Sequence, residues 1–290
     1  MKYRNRQGTT FEETTSQDKF LANVYDSTLG RTVMKFLSFP FFSKCSRYIL
    51  NSRSSARFIP WFADKNGIDM FEYEDKKFTS FNDFFTRKIK DGRRFITNDD
   101  NMLISPCDGK ISAYELTSTG TFIIKNSVYN VTSLLRDEKL AKRFEGGYAL
   151  VIRLSVDDYH RYCYPANGYK SHNRKINGFL NTVNPVVNNH VPVYKENSRE
   201  YCLLRTDRFG DIIQMEVGAL MVGKITNHDR TGKARILRGQ EKGYFEFGGS
   251  TIVLLLEKDK VKLCDCFIKN TLDGCETKVR QGEILGESML

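Results

Sequence analysis

The chain changes its hydrophobic pattern near residue 100. Before that point apolar residues recur at helical spacing, first in KFLANVYD at 19–26. A strongly apolar stretch follows at 31–50 and is interrupted by Pro40. The segment SFNDFFTRKIKDGRR at 80–94 starts with Ser80, a favourable N-cap, and its apolar residues fall on one helix face. We therefore expect helices in the first part of the chain.

After residue 100 the pattern changes to short β-branched runs separated by Gly, Asn and Asp, which predict strands of a largely antiparallel core. The runs are GTFIIK (120–125), YALVIRLSV (148–156), IIQMEVGALMVGKI (212–225), YFEFGG (244–249) and STIVLLLEK (250–258). The predicted fold class is α+β. A helical, basic segment at 1–100 precedes a mainly antiparallel, β-rich, barrel-like domain at 101–290.

Composition narrows the choice of partners and compartment. The net charge of +10 and the pI near 9.2 favour anionic partners, either nucleic acid or acidic lipid headgroups. No apolar run approaches the ~20 residues that span a bilayer, and the polar first twenty residues do not resemble a secretory signal. Seven cysteines without a repeating framework indicate reduced thiols in a cytoplasmic compartment. Cys264 and Cys266 lack a second close pair, so no metal site is expected.

Four short segments carry residues suited to chemistry. They are SPCDGKIS (105–112), LSVDDYHRYCYPANG (154–168), TVNPVVNNHVPVYKEN (182–197) and EKGYFEFGGSTIVLL (241–255). Together and in this order they resemble the phosphatidylserine decarboxylase family. The resemblance extends to FNDFFTRK (81–88) and REYCLLRTDRFGDIIQMEVGALMVGKI (199–225), and it covers roughly residues 80–290.

The Gly-Gly-Ser junction before the last apolar run has two interpretations. In most strands such glycines form a bulge or tight bend without chemistry. Without a Cβ, however, Gly249 also lets the Ser250 hydroxyl approach the preceding carbonyl carbon and start an N-to-O acyl shift. The resemblance implies that second reading, with cleavage between Gly249 and Ser250, a β chain of 1–249 and an α chain of 250–290.

The cofactor implied by the resemblance is a pyruvoyl group formed from Ser250. The ester from the acyl shift would eliminate to dehydroalanine, which hydrolyses to the pyruvoyl group and ammonia. A pyruvoyl ketone can bind the substrate amine, and the carbonyl next to it accepts the electrons released with carbon dioxide. The implied reaction is decarboxylation of phosphatidylserine to phosphatidylethanolamine.

Two further residues gain a role from the resemblance. Asp108 in SPCDGKIS is by itself a common Asp-Gly turn residue, but the family uses this aspartate to orient a histidine during self-cleavage. His160 ends a strongly apolar run at a polar edge. The family needs this histidine for decarboxylation, and we expect it to protonate the carbanion.

The sequence departs from the family pattern at Cys163. Most members carry a second histidine there, which belongs to the cleavage relay. A thiol has an ordinary pKa of ~8.5 and is a poor base at neutral pH. Three outcomes are open: His160 serves both steps, Cys163 acts as a thiolate, or another histidine such as His190 folds into the site. The first is the favoured hypothesis, and a chain that fails to mature is a further one.

Weaker candidates and a membrane-binding segment complete the predictions. His190 and His228 are expected in loops, Glu216 and Gly218 at strand or bulge positions, and Asn184 with Pro185 in a turn near the site.

Segment 31–57 mixes apolar residues with cations. The apolar residues are Val33, Met34, Phe36, Leu37, Phe39, Phe41 and Phe42, and the cations are Lys35, Lys44, Arg47, Arg53 and Arg57. This pattern fits a helix on an anionic membrane, and equally a helix packed on the β domain. The expected location is the cytoplasmic side of the cell membrane, as a peripheral protein.

Other classes remain as alternatives. A basic nucleic-acid-binding β-barrel rests on charge alone, because no recognised nucleic-acid motif accompanies it. A serine hydrolase using Ser250, His160 and Asp108 lacks the G-x-S-x-G elbow. A lipid-binding family member that no longer matures and a pyruvoyl enzyme for another serine phospholipid also fit the residues. The cleaved chains are expected to stay together and to form a possible dimer of such pairs, with no nucleic acid bound.

Overall fold

Helices dominate the first third of the chain and strands the remainder. The computed structural model describes residues 2–12, 23–124, 127–182, 193–219, 224–248 and 250–290. Helices with described bounds are α1 (Thr28–Leu37), α2 (Pro40–Leu50), α3 (Ile59–Lys65), α4 (Phe81–Phe85), α5 (Val131–Leu135), α6 (Glu138–Ala141), α7 (Val193–Glu196) and α8 (Asp265–Leu272), with 3₁₀ turns at Arg53–Phe58, Met70–Glu72 and Lys142–Phe144. The strands are β1 (Lys2–Arg4), β2 (Thr10–Glu12), β3 (Met102–Ile104), β4 (Gly109–Glu115), β5 (Thr121–Ile124), β6 (Ser127–Asn130), β7 (Tyr148–Leu154), β8 (Arg161–Cys163), β9 (Gly168–Lys170), β10 (Arg174–Ile176), β11 (Arg199–Thr206), β12 (Asp211–Gly218), β13 (Ile225–Asn227), β14 (Ala234–Ile236), β15 (Glu241–Phe245), β16 (Ser250–Leu256), β17 (Val261–Leu263), β18 (Glu276–Val279) and β19 (Ile284–Ser288).

One large sheet organises the molecule. Its order is β14-β9-β11-β12-β16-β7-β4-β18-β1-β2, with β10 also paired to β11, and every pair is antiparallel except β1 with β18. The α+β class with mostly antiparallel strands is confirmed. The barrel-like shape is wrong, because the described edge strands β14 and β2 do not pair and the sheet stays open. Smaller sheets, β13-β15-β8 and β17-β19-β3, and the β5-β6 hairpin accompany it.

Strand β16 lies at the centre of the sheet, and all seven of its residues are buried. Its side chains alternate between two hydrophobic clusters. Ile252 and Leu254 join the cluster that contains Tyr162 and Phe245, whereas Val253 and Leu255 join the cluster on the other face. A strand covered on both faces needs apolar residues at every position, which explains the continuous run TIVLLL.

The N-terminal helices follow the sequence signals in part. Pro40 is the first residue of α2, where its missing N–H costs nothing. The Ser80 hydroxyl caps α4 by accepting the Asp83 N–H at 3.1 Å, as the sequence predicts. The helix ends at Phe85, however, well before residue 94. Arg87 instead turns into the interior, where its guanidinium lies 4.3 Å from the Tyr73 ring centroid.

A buried ion pair joins the large sheet to the three-stranded sheet on one of its faces. Lys242 Nζ on β15 lies 2.6 Å from Glu216 Oε2 on β12, and both side chains are fully buried. Asn227 donates to Glu216 at 3.2 Å and accepts from Lys242 at 2.9 Å. Because a buried charge without its partner is costly, this pair fixes how the two sheets stack.

Removal of one partner should therefore be far more damaging than loss of a surface pair. Glu216→Ala is expected to lower the free energy of unfolding by about 3–5 kcal/mol, because the Lys242 ammonium loses its main counter-charge. The exposed pair Arg235–Asp207 (2.7 Å) provides the control, and Asp207→Ala should cost less than about 1 kcal/mol. Urea unfolding followed by circular dichroism measures both. Equal losses in the two variants would contradict the structural importance of the buried pair.

Candidate active site around Ser250

Ser250 is the first residue of the central strand β16. Its backbone lies opposite Gly218 on β12 and Leu154 on β7, so hydrogen-bonded neighbours flank it on both sides. The preceding Gly248 has φ of +136°, which favours glycine, and it allows the chain to bend into the strand. Gly249 lies outside the described residues.

The Ser250 hydroxyl is buried without a hydrogen-bond partner among the described residues. An unpaired buried hydroxyl costs about 1–3 kcal/mol, so a stable protein keeps one only for a reason. With no partner to hold it, the Oγ atom is free to rotate towards a reacting group. This fits a serine that is consumed in a reaction rather than one that stabilises the fold.

His160 is fully buried and held in one tautomer. Its Nδ1 lies 2.8 Å from the Asp158 carbonyl oxygen. Since a carbonyl only accepts, Nδ1 carries the proton and Nε2 has a free lone pair. Nε2 is buried and has no partner in the described part of the chain. The Phe85 ring covers the imidazole with centroids 4.0 Å apart.

The environment of His160 keeps the imidazole neutral. Burial, with a smaller contribution from the nearby Arg87 guanidinium, lowers its pKa to about 3. Arg87 itself donates to the carbonyl oxygens of Asp157 at 3.3 Å and Asp158 at 3.4 Å. The same arginine thus fixes the turn that orients the histidine and disfavours its protonated form.

Ser250 and His160 lie on the same side of the large sheet. By alternation, the Ser250 side chain points to the face of Ile252 and Leu254, where Tyr162 and Phe245 also pack. His160 directly precedes β8, and its carbonyl accepts the Phe245 N–H at 3.0 Å. The chain at His160 therefore leads into the small sheet that covers the face of the large sheet to which Ser250 points.

Asp108 and Ser250 lie at the same end of their strands, but Asp108 has other hydrogen-bond partners. It precedes β4, in which Lys110 is opposite Arg153 of β7. Because neighbouring strands lie ~4.8 Å apart, the backbone of Asp108, two strands away, is about 10 Å from the backbone of Ser250. Arg94 donates to its carboxylate from Nε at 3.1 Å and from Nη2 at 2.6 Å, and the Gln281 N–H donates at 2.8 Å. No hydrogen bond between Asp108 and His160 occurs among the described residues.

Asp158 is a candidate that the sequence reasoning overlooked. Its carboxylate accepts the Ser155 N–H at 2.6 Å, in the turn that follows Leu154, the strand partner of Ser250. Burial, followed by repulsion from Asp157, raises the pKa of this carboxyl to about 7. It can therefore exchange a proton near neutral pH. The paired acids in VDDYH were the signal that could have indicated it.

The surroundings of Cys163 in this structure disfavour a charged thiol. Cys163 is buried, and its Sγ lies 4.0 Å from the Ser105 carbonyl oxygen. The Cys163 carbonyl accepts a hydrogen bond from the Gln214 side chain. Gln214 lies opposite Leu254, whose backbone is four residues, or about 13 Å, along β16 from Ser250. Burial raises the pKa of the thiol to about 12, which argues against a thiolate.

The weaker candidates separate into three groups. Glu216 belongs to the buried ion pair, and Gly218 lies directly opposite Ser250. His228 is exposed and lies 2.5 Å from Glu241 at the surface. Asn184, Pro185 and His190 lie outside the described residues.

Comparisons with known proteins agree with the resemblance. The family model described as phosphatidylserine decarboxylase matches residues 81–287. Phosphatidylserine decarboxylase proenzyme 2 of Clostridium acetobutylicum is 46% identical over 274 residues, which cover 94% of this chain and 92% of the relative. The phosphatidylserine decarboxylase proenzyme of Clostridium botulinum strain 657 is 39% identical, over 99% of this chain and 99% of the relative. The phosphatidylserine decarboxylase proenzyme of Fusobacterium nucleatum is 36% identical, over 90% of this chain and 93% of the relative. The chain belongs to the phosphatidylserine decarboxylase family, a family of carboxy-lyases.

Proposed function

We propose that this chain is a proenzyme that cuts itself between Gly249 and Ser250 and then decarboxylates phosphatidylserine. The observation that carries the proposal is the buried Ser250 hydroxyl at the head of the central strand, which has no hydrogen-bond partner among the described residues, in a member of this family. Residues 1–249 would form one chain and residues 250–290 the other. The pyruvoyl group formed from Ser250 would supply a carbonyl electron sink for the loss of carbon dioxide.

Self-cleavage begins with Ser250 Oγ. The oxygen attacks the Gly249 carbonyl carbon, and its proton passes to His160 Nε2. The imidazolium then gives that proton to the Ser250 nitrogen, which leaves from the carbon as an amine and gives an ester. Removal of the Ser250 Cα proton then breaks the Cβ–O bond. The Gly249 carboxylate becomes a new C-terminus, and dehydroalanine takes up water and releases ammonia to give the pyruvoyl end.

His160 is suited to both proton transfers. As a neutral imidazole with a free Nε2 lone pair, it can accept the serine proton at pH 7. Once charged in its dry surroundings, it returns the proton readily, because burial destabilises the imidazolium. To serve as the acid in decarboxylation, the same atom must first take up a proton, which the ammonium group of the substrate can supply when it loses its proton to react. Asp158, with its pKa near 7, is our second candidate for moving a proton during the elimination.

The two chains should stay associated after cleavage. Strand β16 would remain hydrogen-bonded to β12 and β7 along its whole length. The buried Arg153 on β7 also binds Glu276 beyond the cut, with Nη2 2.6 Å from Oε2. These contacts do not require a covalent bond at residue 249.

The N-terminal helices support docking on an anionic membrane surface. Several large apolar side chains there are exposed, and they are Leu29, Val33, Phe39, Phe41, Tyr48, Ile49, Phe58, Trp61 and Phe71. Exposed cations accompany them, including Arg53, Arg57 and Lys65, whose Nζ lies 4.8 Å from the Trp61 ring centroid. Apolar rings beside cations favour an anionic lipid interface. We propose that the enzyme sits peripherally on the cytoplasmic side of the cell membrane.

Part of segment 31–57 packs against the rest of the protein, which agrees with the alternative interpretation of a helix packed on the β domain. Met34 is buried, and the Ser38 carbonyl accepts the Leu180 N–H at 3.0 Å. The side chains of Lys35, Phe36, Leu37 and Lys44 lie outside the described part of the chain. Within the described residues, no helix has both the length and the apolar character needed to cross a bilayer.

Intact mass under denaturing conditions tests self-cleavage. The wild-type chain should give two fragments that break at Gly249–Ser250, and the smaller should carry a blocked pyruvoyl end. Ser250→Ala should give only the 33.5 kDa chain, because no hydroxyl remains to attack. Thr251→Val is the matched control, since it removes the neighbouring buried, unpartnered hydroxyl on the opposite face. An intact wild-type chain would refute the proposal.

A second prediction separates His160 from Cys163. His160→Ala should slow self-cleavage by 10²-fold or more, because the serine proton loses its acceptor. Cys163→Ala should change the rate by less than about threefold, since the buried thiol stays protonated. Precursor conversion during a pulse of cell-free synthesis gives both rates. Faster cleavage in Cys163→His, or strong slowing in Cys163→Ala, would instead assign position 163 to the relay.

Vesicle flotation tests the membrane surface. Phe41→Asp with Trp61→Asp should reduce binding to phosphatidylserine-containing phosphatidylcholine vesicles at least tenfold, because two exposed rings no longer enter the interface. Leu272→Asp, which alters an even more exposed apolar side chain on α8, should bind as the wild type does. Unchanged flotation of the double variant would exclude this surface.

A further inference from the structure

The N-terminal helices hold the short segment that leads into Ser250. The Phe247 N–H donates to Asn82 Oδ1 at 3.0 Å. The Phe247 ring packs edge-on against Phe81 and Phe85, with centroid distances of 5.3 and 5.0 Å. The Glu246 N–H still donates to the Lys224 carbonyl at 3.0 Å, next to the β13–β15 pairing. Beyond it, the contacts of Phe247 are the ones that hold the last described residues before Ser250.

Asn82 is itself firmly oriented. It lies on α4 and is buried, and its Nδ2 donates to Asn51 Oδ1 at 3.2 Å. Because the amide nitrogen faces Asn51, the amide oxygen must face the Phe247 N–H. The helix is tied down in turn, since the Phe81 N–H donates to Ser55 Oγ at 2.9 Å. A rigid acceptor is thus presented to the backbone three residues before the reactive serine.

The segment needs such a hold because both of its ends are paired in strands and it contains two glycines. Phe245 is paired in β15 and Ser250 in β16, and two glycines lie between them. Glycine restricts the backbone least. Attack of Ser250 Oγ on the preceding carbonyl requires the reacting atoms to meet at about 3–3.5 Å, and small displacements cost large factors in rate.

We propose that Asn82 is a positioning residue for self-cleavage, acting through its hydrogen bond to the Phe247 N–H. The inference rests on the proposed function, because it concerns the rate of the same cut. Arg47 supports the segment from α2, with Nε 2.8 Å from Glu246 Oε2. Its side chain is 44% exposed, so this ion pair contributes less than the buried amide.

Three variants test the role of the amide oxygen. Asn82→Leu keeps the volume but removes the acceptor, and it should slow precursor conversion about tenfold or more. Asn82→Asp keeps an acceptor oxygen and should cleave within about threefold of the wild-type rate. Asn66→Leu is the control, since Asn66 donates to the Phe62 carbonyl at 2.8 Å and is remote from residue 247 in the hydrogen-bond network. Conversion is followed by gel after pulsed cell-free synthesis, and folding by the thermal midpoint of each Ser250→Ala counterpart.

The outcomes distinguish this inference from the proposed function. A folded Asn82→Leu chain that cleaves at the wild-type rate would overturn it, as would equal slowing in Asn82→Leu and Asn82→Asp. If the leucine variant does not fold, Asn82→Ala must show the same loss relative to Asn82→Asp. A wild-type chain that never cleaves would refute the self-cleavage proposal itself, and this inference with it.

Discussion

Backbone hydrogen bonding along a buried central strand is the constraint on which the site depends. Strand β16 pairs with β12 and β7 over all seven residues, so the Ser250 backbone cannot shift without breaking a ladder. The turn at 155–158, which carries Asp158, continues directly from β7. The reactive end of the chain is thereby fixed by backbone hydrogen bonds on both sides, whereas Phe247, just before it, is held by side chains of the N-terminal helices.

Burial acts on the two titrating groups of the site in opposite directions. It lowers the pKa of His160 to about 3 and raises the pKa of Asp158 to about 7. Both shifts favour the neutral species, because a dry environment disfavours any charge. Arg87, whose guanidinium stacks on aromatic rings and binds backbone carbonyls, reinforces the shift at the histidine. A site held close to neutrality can move protons without first binding a counter-ion.

Local signals were readable from the sequence, and long-range ones were not. The Ser80 cap and the buried run after Ser250 depend on neighbours within a few residues, and these predictions are confirmed. A sheet closes into a barrel only if its two edge strands pair, and these strands are far apart in the sequence. No local pattern shows whether they meet, which is why the predicted barrel shape was wrong. The partners of Asp108 come from residues 94 and 281, which no local pattern links to it. The domain division near residue 100 and the catalytic roles stay predictions.

The strands beyond residue 249 are interleaved with those before it. Strand β16 lies between β12 and β7, β18 lies between β4 and β1, and β19 pairs with β3. In a chain cut at this junction, the short fragment could leave only by opening two sheets. Its loss would then be irreversible in dilute solution, since two separate chains must find each other before either can refold. The cut converts a unimolecular folding equilibrium into a bimolecular one, and the mature protein would persist through slow unfolding rather than through ready refolding.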